Sequence, residues 1–331
     1  MEIDFVVTWV DGGDPEWIRS FDTYVSEPEK VDIRKRRFRD WGLLRYLFRS
    51  FDSYAPWVGK VHFVTAGHFP TWLRTDNRKL NLVSHADFID GLYLPLFNGR
   101  AIEMGLHKIP GISERFVYFN DDMFLGRVLG KDYFFDGFLP KDMCVFNAIY
   151  LDSIAHVRLN NIKVVDAFFD KHNFLFSNFF KVFNWRYGFH QIRSFLLAPW
   201  PQFTGFYDPH QPQPFLKKTF EEVWQKVPEV LHKTMKSRFR GAGDVNQYLF
   251  RYWQLLEGNF SPTFFSRTVT FPISLVEHAK QAAKAIRSGR CFSLCINDEI
   301  ADDDDQIFCE CKKIIGDAFD EILPEKSSYE V

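Results

Sequence analysis

No stretch of this chain is long and apolar. Nothing in its 331 residues approaches the roughly 18 consecutive apolar residues of a membrane-spanning helix. The marks of an export signal are missing too, since Glu2 precedes the opening apolar stretch and a polar turn arrives at Asp11. Cysteine is scarce: five in number, Cys144, Cys291, Cys295, Cys309 and Cys311, four of them late in the chain. With no export signal, these read as reduced thiols rather than a disulfide framework, and the expected location is cytoplasmic. Their C-x3-C and C-x-C spacings leave zinc open but fit no standard finger or ribbon. Excess charge is also lacking, with 41 basic against 43 acidic residues, so whole-surface attraction to nucleic acid is excluded. The strongest local cluster is "RKRRFR" at 34–39, suited to an anionic polymer or to membrane headgroups.

Aromatic residues are what the chain has in abundance. Its 38 Phe exceed one residue in ten, so most should be core while some could form an apolar surface for a membrane or a sugar. The first 125 residues alternate between strand and helix patterns. "IDFVVTWV" is a β-branched, aromatic strand that stops at "DGGD", where Asp14 is placed to cap a helix with Pro15 at its first position. Leu43, Leu44, Leu47, Phe48, Phe51 and Tyr54 then keep the three-four spacing of a helix that begins near Asp40 and that Pro56 ends. "KVHFVTAG", "KLNLVSHAD" and "RFVYFNDD" are further strands, the last preceded by a short helix, "RAIEMGLHKIPG".

This alternation predicts an α/β fold, Rossmann-like, with a mainly parallel sheet and helices on both faces. A single catalytic domain is expected, with a core over about 1–145 and 205–300, an aromatic-rich helical insertion over about 146–204 and an acidic C-terminal helix over about 302–323. In such sheets ligands bind beyond the carboxyl ends of the strands, which here are "DGGD", "TAGH", "SHAD" and "NDD". Asp11, Gly12, Gly13 and Asp14, before a helix N-terminus, are a candidate phosphate cradle. The adjacent carboxylates Asp121 and Asp122 suit a hard divalent cation, Mg²⁺ or Mn²⁺, although an acidic turn would look the same.

The stretches "IDFVVTWVDGGDPEW", "RDWGLLRYLFRSFDSYAPWVGKVHFVT" and "RFVYFNDDMFLG" resemble the Stealth family of sugar-1-phosphate transferases. That family includes bacterial capsule enzymes and the animal lysosomal-enzyme N-acetylglucosamine-1-phosphotransferase. The resemblance runs from residue 3 to about 300 and implies transfer of hexosamine-1-phosphate from a UDP-sugar to a glycan hydroxyl, with release of UMP. It implies that Asp122 is an essential metal ligand, with Asp121 beside it, and that Glu103 is a second essential acid. His107, four residues on, would share a helical face with Glu103 and could orient a ligand or merely stabilise the helix.

In "FYDPHQPQPF" (206–215), the resemblance implies that His210 is the essential histidine, a natural base for a hydroxyl or a cation for a phosphate. In "SRFRGAGDVNQYLFRYW", Arg240 matches the essential arginine, whose fork suits a phosphate. Asp244 reads equally as a helix cap or a substrate ligand, and Arg238 as a surface charge. "CFSLCINDEIADDDD" repeats the strand-then-acid pattern, so Asn297 and Asp298 could add oxygen ligands, while 302–305 reads as an acidic first helical turn. Arg45 and Arg49 lie off the apolar stripe of their helix, and the resemblance places one of them near the diphosphate.

The insertion, crowded with Phe and Trp, reads as a helical lid, as an acceptor-sugar platform or as an in-plane membrane contact. The partners expected are therefore a UDP-sugar donor and an oligosaccharide or polysaccharide acceptor, with a peripheral membrane or capsule-assembly contact. Two rivals remain: a glycosyltransferase that releases UDP, and a non-catalytic glycan-binding protein.

Overall fold

In a computed structural model of the protein, residues 2–25, 37–265 and 267–331 are described. Arg34, Lys35 and Arg36 of the basic cluster lie outside them. In chain order the N-terminal part comprises β1 (Asp4–Thr8), α1 (Pro15–Tyr24), α2 (Leu44–Tyr54), β2 (Val61–Thr65), β3 (Leu80–Ser84), α3 (Gly99–Glu103), β4 (Arg115–Asn120) and β5 (Met123–Leu125). Next come β6 (Phe135–Asp136), β7 (Leu139–Asp142), α4 (Ala155–Asp166), α5 (Lys171–Ser177), α6 (Phe179–Val182) and α7 (Gln191–Leu197). The remainder holds β8 (Gln213–Leu216), α8 (Lys217–Lys226), α9 (Pro228–Lys236), α10 (Tyr248–Leu256), β9 (Ser261–Pro262), β10 (Thr268–Ile273), α11 (Val276–Ser288), β11 (Ser293–Asp298) and α12 (Asp305–Ile322).

The largest sheet has the order β3–β2–β1–β4–β8. Its first four strands are parallel, and β8 closes the edge antiparallel to β4. Two further three-stranded sheets, β10–β11–β5 and β6–β7–β9, mix parallel and antiparallel pairs. The fold is thus mixed α/β with several sheets, more varied than the one mainly parallel sheet expected. Only the short Asp121–Asp122 turn separates β4 from β5, and β5 leaves the large sheet to pair antiparallel with β11.

Both faces of the large sheet are apolar because its strands alternate between two cores. Phe5, Val7, Phe63 and Phe119 pack with α2, α11 and α12, while Val6, Val64, Phe116 and Tyr118 pack with α8 and α10. Much of the Phe excess is spent here. Phe5 lies 4.9 Å from Phe51 and 4.8 Å from Phe119, ring centre to ring centre, and such pairs add about 1 kcal/mol each beyond burial. Helix α1 starts as expected, with Asp14 accepting from the amides of Glu16 and Trp17 and Pro15 following it. Helix α12 is capped by Asp304 within the acid run.

Arg49 faces inward rather than toward any diphosphate. Buried, it donates Nε and Nη2 to Glu330 at 2.8 and 2.9 Å and Nη1 to the Leu323 carbonyl, tying α2 to the chain end. The insertion holds three short helices, α5 to α7, after the longer α4. Among the described residues no helix is long and apolar enough to cross a membrane.

Candidate active site

The carboxyl ends of β1, β3 and β4 open into one cleft of ≈ 570 Å³. Thr8 and Trp9 line it from β1, His85 from β3, and Asn120, Asp121 and Asp122 from β4. The "TAGH" end of β2 supports it instead, since His68 Nε2 accepts the Asp11 amide at 2.9 Å. Loops from far along the chain complete the walls and bring Glu103, His210, Arg240, Asn297 and Asp298 to the same space.

Asp121 and Asp122 fill the tight turn from β4 to β5. The Asp122 backbone carbonyl accepts from the Ile296 amide at 2.9 Å, so β11 lies directly beside the pair. Asp122 Oδ2 is 3.5 Å from His210 Nε2 and 3.2 Å from Cys295 Sγ, while its buried Oδ1 has no hydrogen-bond partner among the described residues. Asp121 opens onto the cleft floor with protein around it. Desolvation there, with the charges of Asp122 and Asp40, pushes its carboxyl up to about 8. Burial pulls the His210 imidazole down, but the hydrogen bond and charge of Asp122, with Glu103 beyond, win and leave it above its ordinary value. Burial and the same carboxylate push the Cys295 thiol well up.

These features fit a divalent cation. Two adjacent acids, one with a buried, unpartnered oxygen, are short of positive charge, and a cation would relieve both. Among the described residues Asp122, His210 and Cys295 are the group whose ligand atoms lie close enough to share an ion, within 4.8 Å of one another. The late cysteines do not converge on one another; instead Cys295, alternating inward along β11, meets Asp122, and Asp121 stands outside this group of three. That contribution was invisible in the sequence, where Cys295 looked like part of a C-x3-C spacing.

Asp298 does not join them. Its carboxylate is taken by Arg39, through Nε at 2.9 Å and Nη2 at 2.8 Å, by Trp41 Nε1 at 3.1 Å and by the Ile300 amide at 3.0 Å. With its lone pairs occupied, it is a buried clamp for the 37–41 segment rather than a metal ligand. Asn297 lines the cleft and donates to Glu299 at 2.9 Å. Asp298→Asn should lower stability by about 3 kcal/mol, because Arg39 loses a buried anionic partner. Calorimetric Mn²⁺ titration should show unchanged affinity in that variant and lost affinity in Asp122→Asn. Arg39 and Arg37, from the basic cluster, line the cleft.

Glu103 ends α3 inside the cleft. It accepts from the Gln247 amide at 2.9 Å and from Tyr118 Oη at 3.4 Å, and Tyr118 in turn meets Thr8 Oγ1 at 3.0 Å. Burial pushes its carboxyl up to about 7, against the pull of Gln247, Arg240 and Arg100. A raised carboxyl pKa means the fold favours the protonated form, so stability is full below the ordinary value near 4.5 and is lost as pH rises toward 7. Glu103→Gln should remove that loss, raising stability at pH 8 by about 2 kcal/mol over wild type, with no gain at pH 4, in thermal melts.

Other expectations are corrected. The helix carrying Glu103 breaks at Met104, and His107 falls in a separate 3₁₀ turn. Its ring packs near Phe220 and Trp224 at 5.7 and 6.2 Å, where burial lowers its pKa to about 3, so it orients no ligand in the cleft. Asp244 Oδ2 accepts from the Gly241 amide at 2.8 Å and from Asn98 at 3.0 Å, which closes the 241–244 turn. Helix α10 begins only at Tyr248, so Asp244 neither caps it nor reaches substrate. Arg45 stays on the solvent side over Trp72, and Arg238 is half-buried, donating to Pro95 and Leu94 carbonyls.

The "DGGD" turn is self-satisfied. The Asp11 amide goes to His68, the Gly13 amide to Asp11 Oδ1, the Asp14 amide to the Asp11 carbonyl, and Asp14 caps α1. Few N–H groups of Asp11, Gly12, Gly13 and Asp14 remain for a phosphate. Gly12 is needed for packing, since a Cβ there would sit 2.2 Å from the Phe38 carbonyl oxygen.

His210 is held by α10, whose stripe of Tyr248, Leu249, Tyr252 and Trp253 is buried as expected. Tyr248 Oη donates to the Pro209 carbonyl at 2.9 Å, Tyr252 Oη donates to Asp208, and Thr270 Oγ1 donates to the His210 carbonyl at 3.2 Å. Asp208 also accepts from Arg251 at 2.9 Å; Arg251 itself forks onto Asp142 at 2.8 Å through both Nε and Nη2. Sequence reading passed over Asp208, although it stands two residues before His210.

A cleft of this size at strand ends, gathering carboxylates, an imidazole and an arginine, is the site of an enzyme suited to phosphate chemistry. Models for two conserved regions of Stealth proteins, CR1 and CR2, match residues 1–27 and 37–142. The chain is 37% identical over 333 residues to the capsular polysaccharide phosphotransferase WcwK of Streptococcus pneumoniae, covering 99% of this chain and 98% of that protein. It is 38% identical to the exopolysaccharide phosphotransferase cps2G of Lactiplantibacillus plantarum, covering 99% and 96%. To the receptor polysaccharide phosphotransferase WefC of Streptococcus oralis it is 37% identical, covering 100% and 99%. The chain belongs to the Stealth family and is a phosphotransferase. His210 and Arg240 lie beyond the two matched regions but within the span of these relatives.

Proposed function

We propose that this phosphotransferase moves a hexosamine-1-phosphate from a UDP-sugar to a glycan hydroxyl, releasing UMP and building a phosphodiester-linked capsule or exopolysaccharide. The observation that carries the reading is the meeting of Asp121, Asp122, His210, Glu103 and Arg240 in one cleft at the strand ends. The central sheet, four parallel strands ending at that cleft, is read as a Rossmann-like nucleotide-binding core within one catalytic domain.

In this reading Asp121 and Asp122 hold Mg²⁺ or Mn²⁺. The ion, when bound, neutralises charge on the diphosphate. His210 takes the proton of the attacking hydroxyl at Nδ1. Asp122 lies 3.5 Å from Nε2, where it holds the other ring proton and raises the basicity of the imidazole, and the α10 contacts fix the ring's backbone in position. Arg240 braces the phosphate oxygens. The new bond joins the acceptor oxygen to the donor's β-phosphorus, and the bond to the bridging oxygen of UMP breaks. Because Asp122 contacts both His210 and the cation's place, the two functions are coupled at one carboxylate.

The names of the relatives, all polysaccharide phosphotransferases, support a glycan acceptor. The test is nucleotide release: purified protein, Mn²⁺ or Mg²⁺, a panel of UDP-sugars and a short glycan. UMP that depends on acceptor is the expected result. UDP would mean cleavage at the anomeric carbon and a glycosyltransferase.

A further inference from the structure

The insertion turns large apolar side chains outward. Phe176, Phe180, Trp185, Phe189 and Leu196, on α5, α6, the turn before α7 and α7 itself, are 91, 81, 77, 90 and 73% exposed. Single exposed apolar side chains are ordinary, but this many on successive short helices form a surface for something else. The inward side of the same helices is anchored by buried Phe174 and Val182 and by a set of polar bonds. Lys171 donates to the carbonyls of Leu197, Trp200 and Gln202, Tyr187 Oη donates to the Lys181 carbonyl at 2.8 Å, and Ser194 Oγ accepts from the Phe146 amide at 3.0 Å. These buried bonds pin the helices, so the outward display of Phe and Trp is held in place by the fold. An ordinary surface helix turns charged and polar residues outward instead.

Charge points the same way. Between Asp170 and Asp208 there is no acidic residue, while Lys171, Lys181, Arg186 and Arg193 all fall there, in a chain whose net charge is -2. Lys171 and Lys181 are turned inward onto carbonyls. Arg186 and Arg193 remain exposed among the aromatics, Arg186 lying 5.3 Å over the Trp185 ring. We propose that this face docks on an anionic phospholipid bilayer, with Phe and Trp at the headgroup–acyl boundary and the two arginines among the phosphates. A sugar platform would set its rings among hydrogen-bonding side chains, whereas Phe and Leu predominate here. The insertion starts at the cleft, where Asp152, Ser153, Ile154 and Arg158 form part of the wall, so docking brings the active site to the lipid surface. This inference goes beyond the proposed reaction and does not rest on it.

Co-sedimentation of the full chain with vesicles tests it, comparing pure phosphatidylcholine with an equal mixture of phosphatidylcholine and phosphatidylglycerol. Wild type should pellet with the mixed vesicles and release as salt rises. Trp185→Ser with Phe189→Ser should abolish binding. Arg186→Gln with Arg193→Gln should weaken partitioning by about thirtyfold, since each basic residue at an anionic surface contributes roughly fivefold. Both variants should keep wild-type melting temperatures and nucleotide release with a soluble acceptor, which separates this outcome from any failure of the reaction assignment. Failure of wild type to bind mixed vesicles, or binding untouched by the aromatic changes, overturns the proposal. So does a wild-type dimer that the aromatic variant dissociates without vesicle binding, which would give the face to a second copy of the chain.

Discussion

Asp122→Ala is expected to lower transfer on the order of 10³-fold while the protein stays folded. Three consequences converge on this one side chain. Its unpartnered buried Oδ1 is the oxygen best placed to ligate a cation, and its Oδ2 is the acid facing His210. Removing it also leaves Asp121 without the neighbouring charge that helps raise its proton affinity, so the site loses much of its need for a cation. The loss should therefore appear in the maximal rate and in Mn²⁺ affinity together, read by steady-state kinetics over a metal titration. The melting temperature should hold or rise, because a half-exposed like-charge pair is relieved. A variant that keeps its rate at saturating metal would remove Asp122 from the chemistry.

Arg251→Met should have the largest effect on stability, about 3–5 kcal/mol. Fully buried Arg251 stands between Asp142 and Asp208 and also donates to the Met143 carbonyl at 3.0 Å. Without it, the buried Asp142 carboxylate loses its cation and Asp208 keeps only Arg158, 3.6 Å away. Asp208 is already pushed up to about 6 by burial, even with Arg251 pulling it down. Taking the arginine away pushes it further, so the variant should recover stability as pH falls and Asp208 takes up its proton. Since Asp208 and Pro209 lead directly into His210, activity should fall with the fold. Denaturant melts across pH, with activity at each point, separate the two. Asp208→Asn made on top of Arg251→Met should restore part of the stability, because one of the two buried acids that Arg251 served is then neutral.

Much of the fold was legible because local signals agreed with it. The β1 run, the Asp14–Pro15 helix start, the apolar stripe of α2 and the α10 stripe all used spacing and caps that act within a few residues. The convergence of Glu103, Asp122, His210 and Arg240 was expected from strand ends and from family resemblance, and they do line one cleft. What sequence could not supply were partners brought together by tertiary folding. Asp298 looked like a metal ligand because it ends a strand as Asp122 does, but Arg39, 259 residues away, occupies it. Arg49 looked solvent-facing until the chain end brought Glu330 to it. His107 was misplaced by a helix that breaks one residue after Glu103, an event too short for periodicity to register. Cys295 faces the site through an antiparallel pairing of β11 with β5, a register no sequence pattern specified.

The central claim, that the β-phosphate travels with the sugar, has one direct test. A UDP-sugar carrying ³²P only in its β-phosphate would be incubated with the enzyme, Mn²⁺ and a glycan acceptor, and the glycan separated from the nucleotides. The label should move to the glycan, in phosphatase-resistant form, and neither Asp122→Ala nor His210→Ala should move it. Label left on the nucleotide while sugar appears on the glycan would contradict that claim.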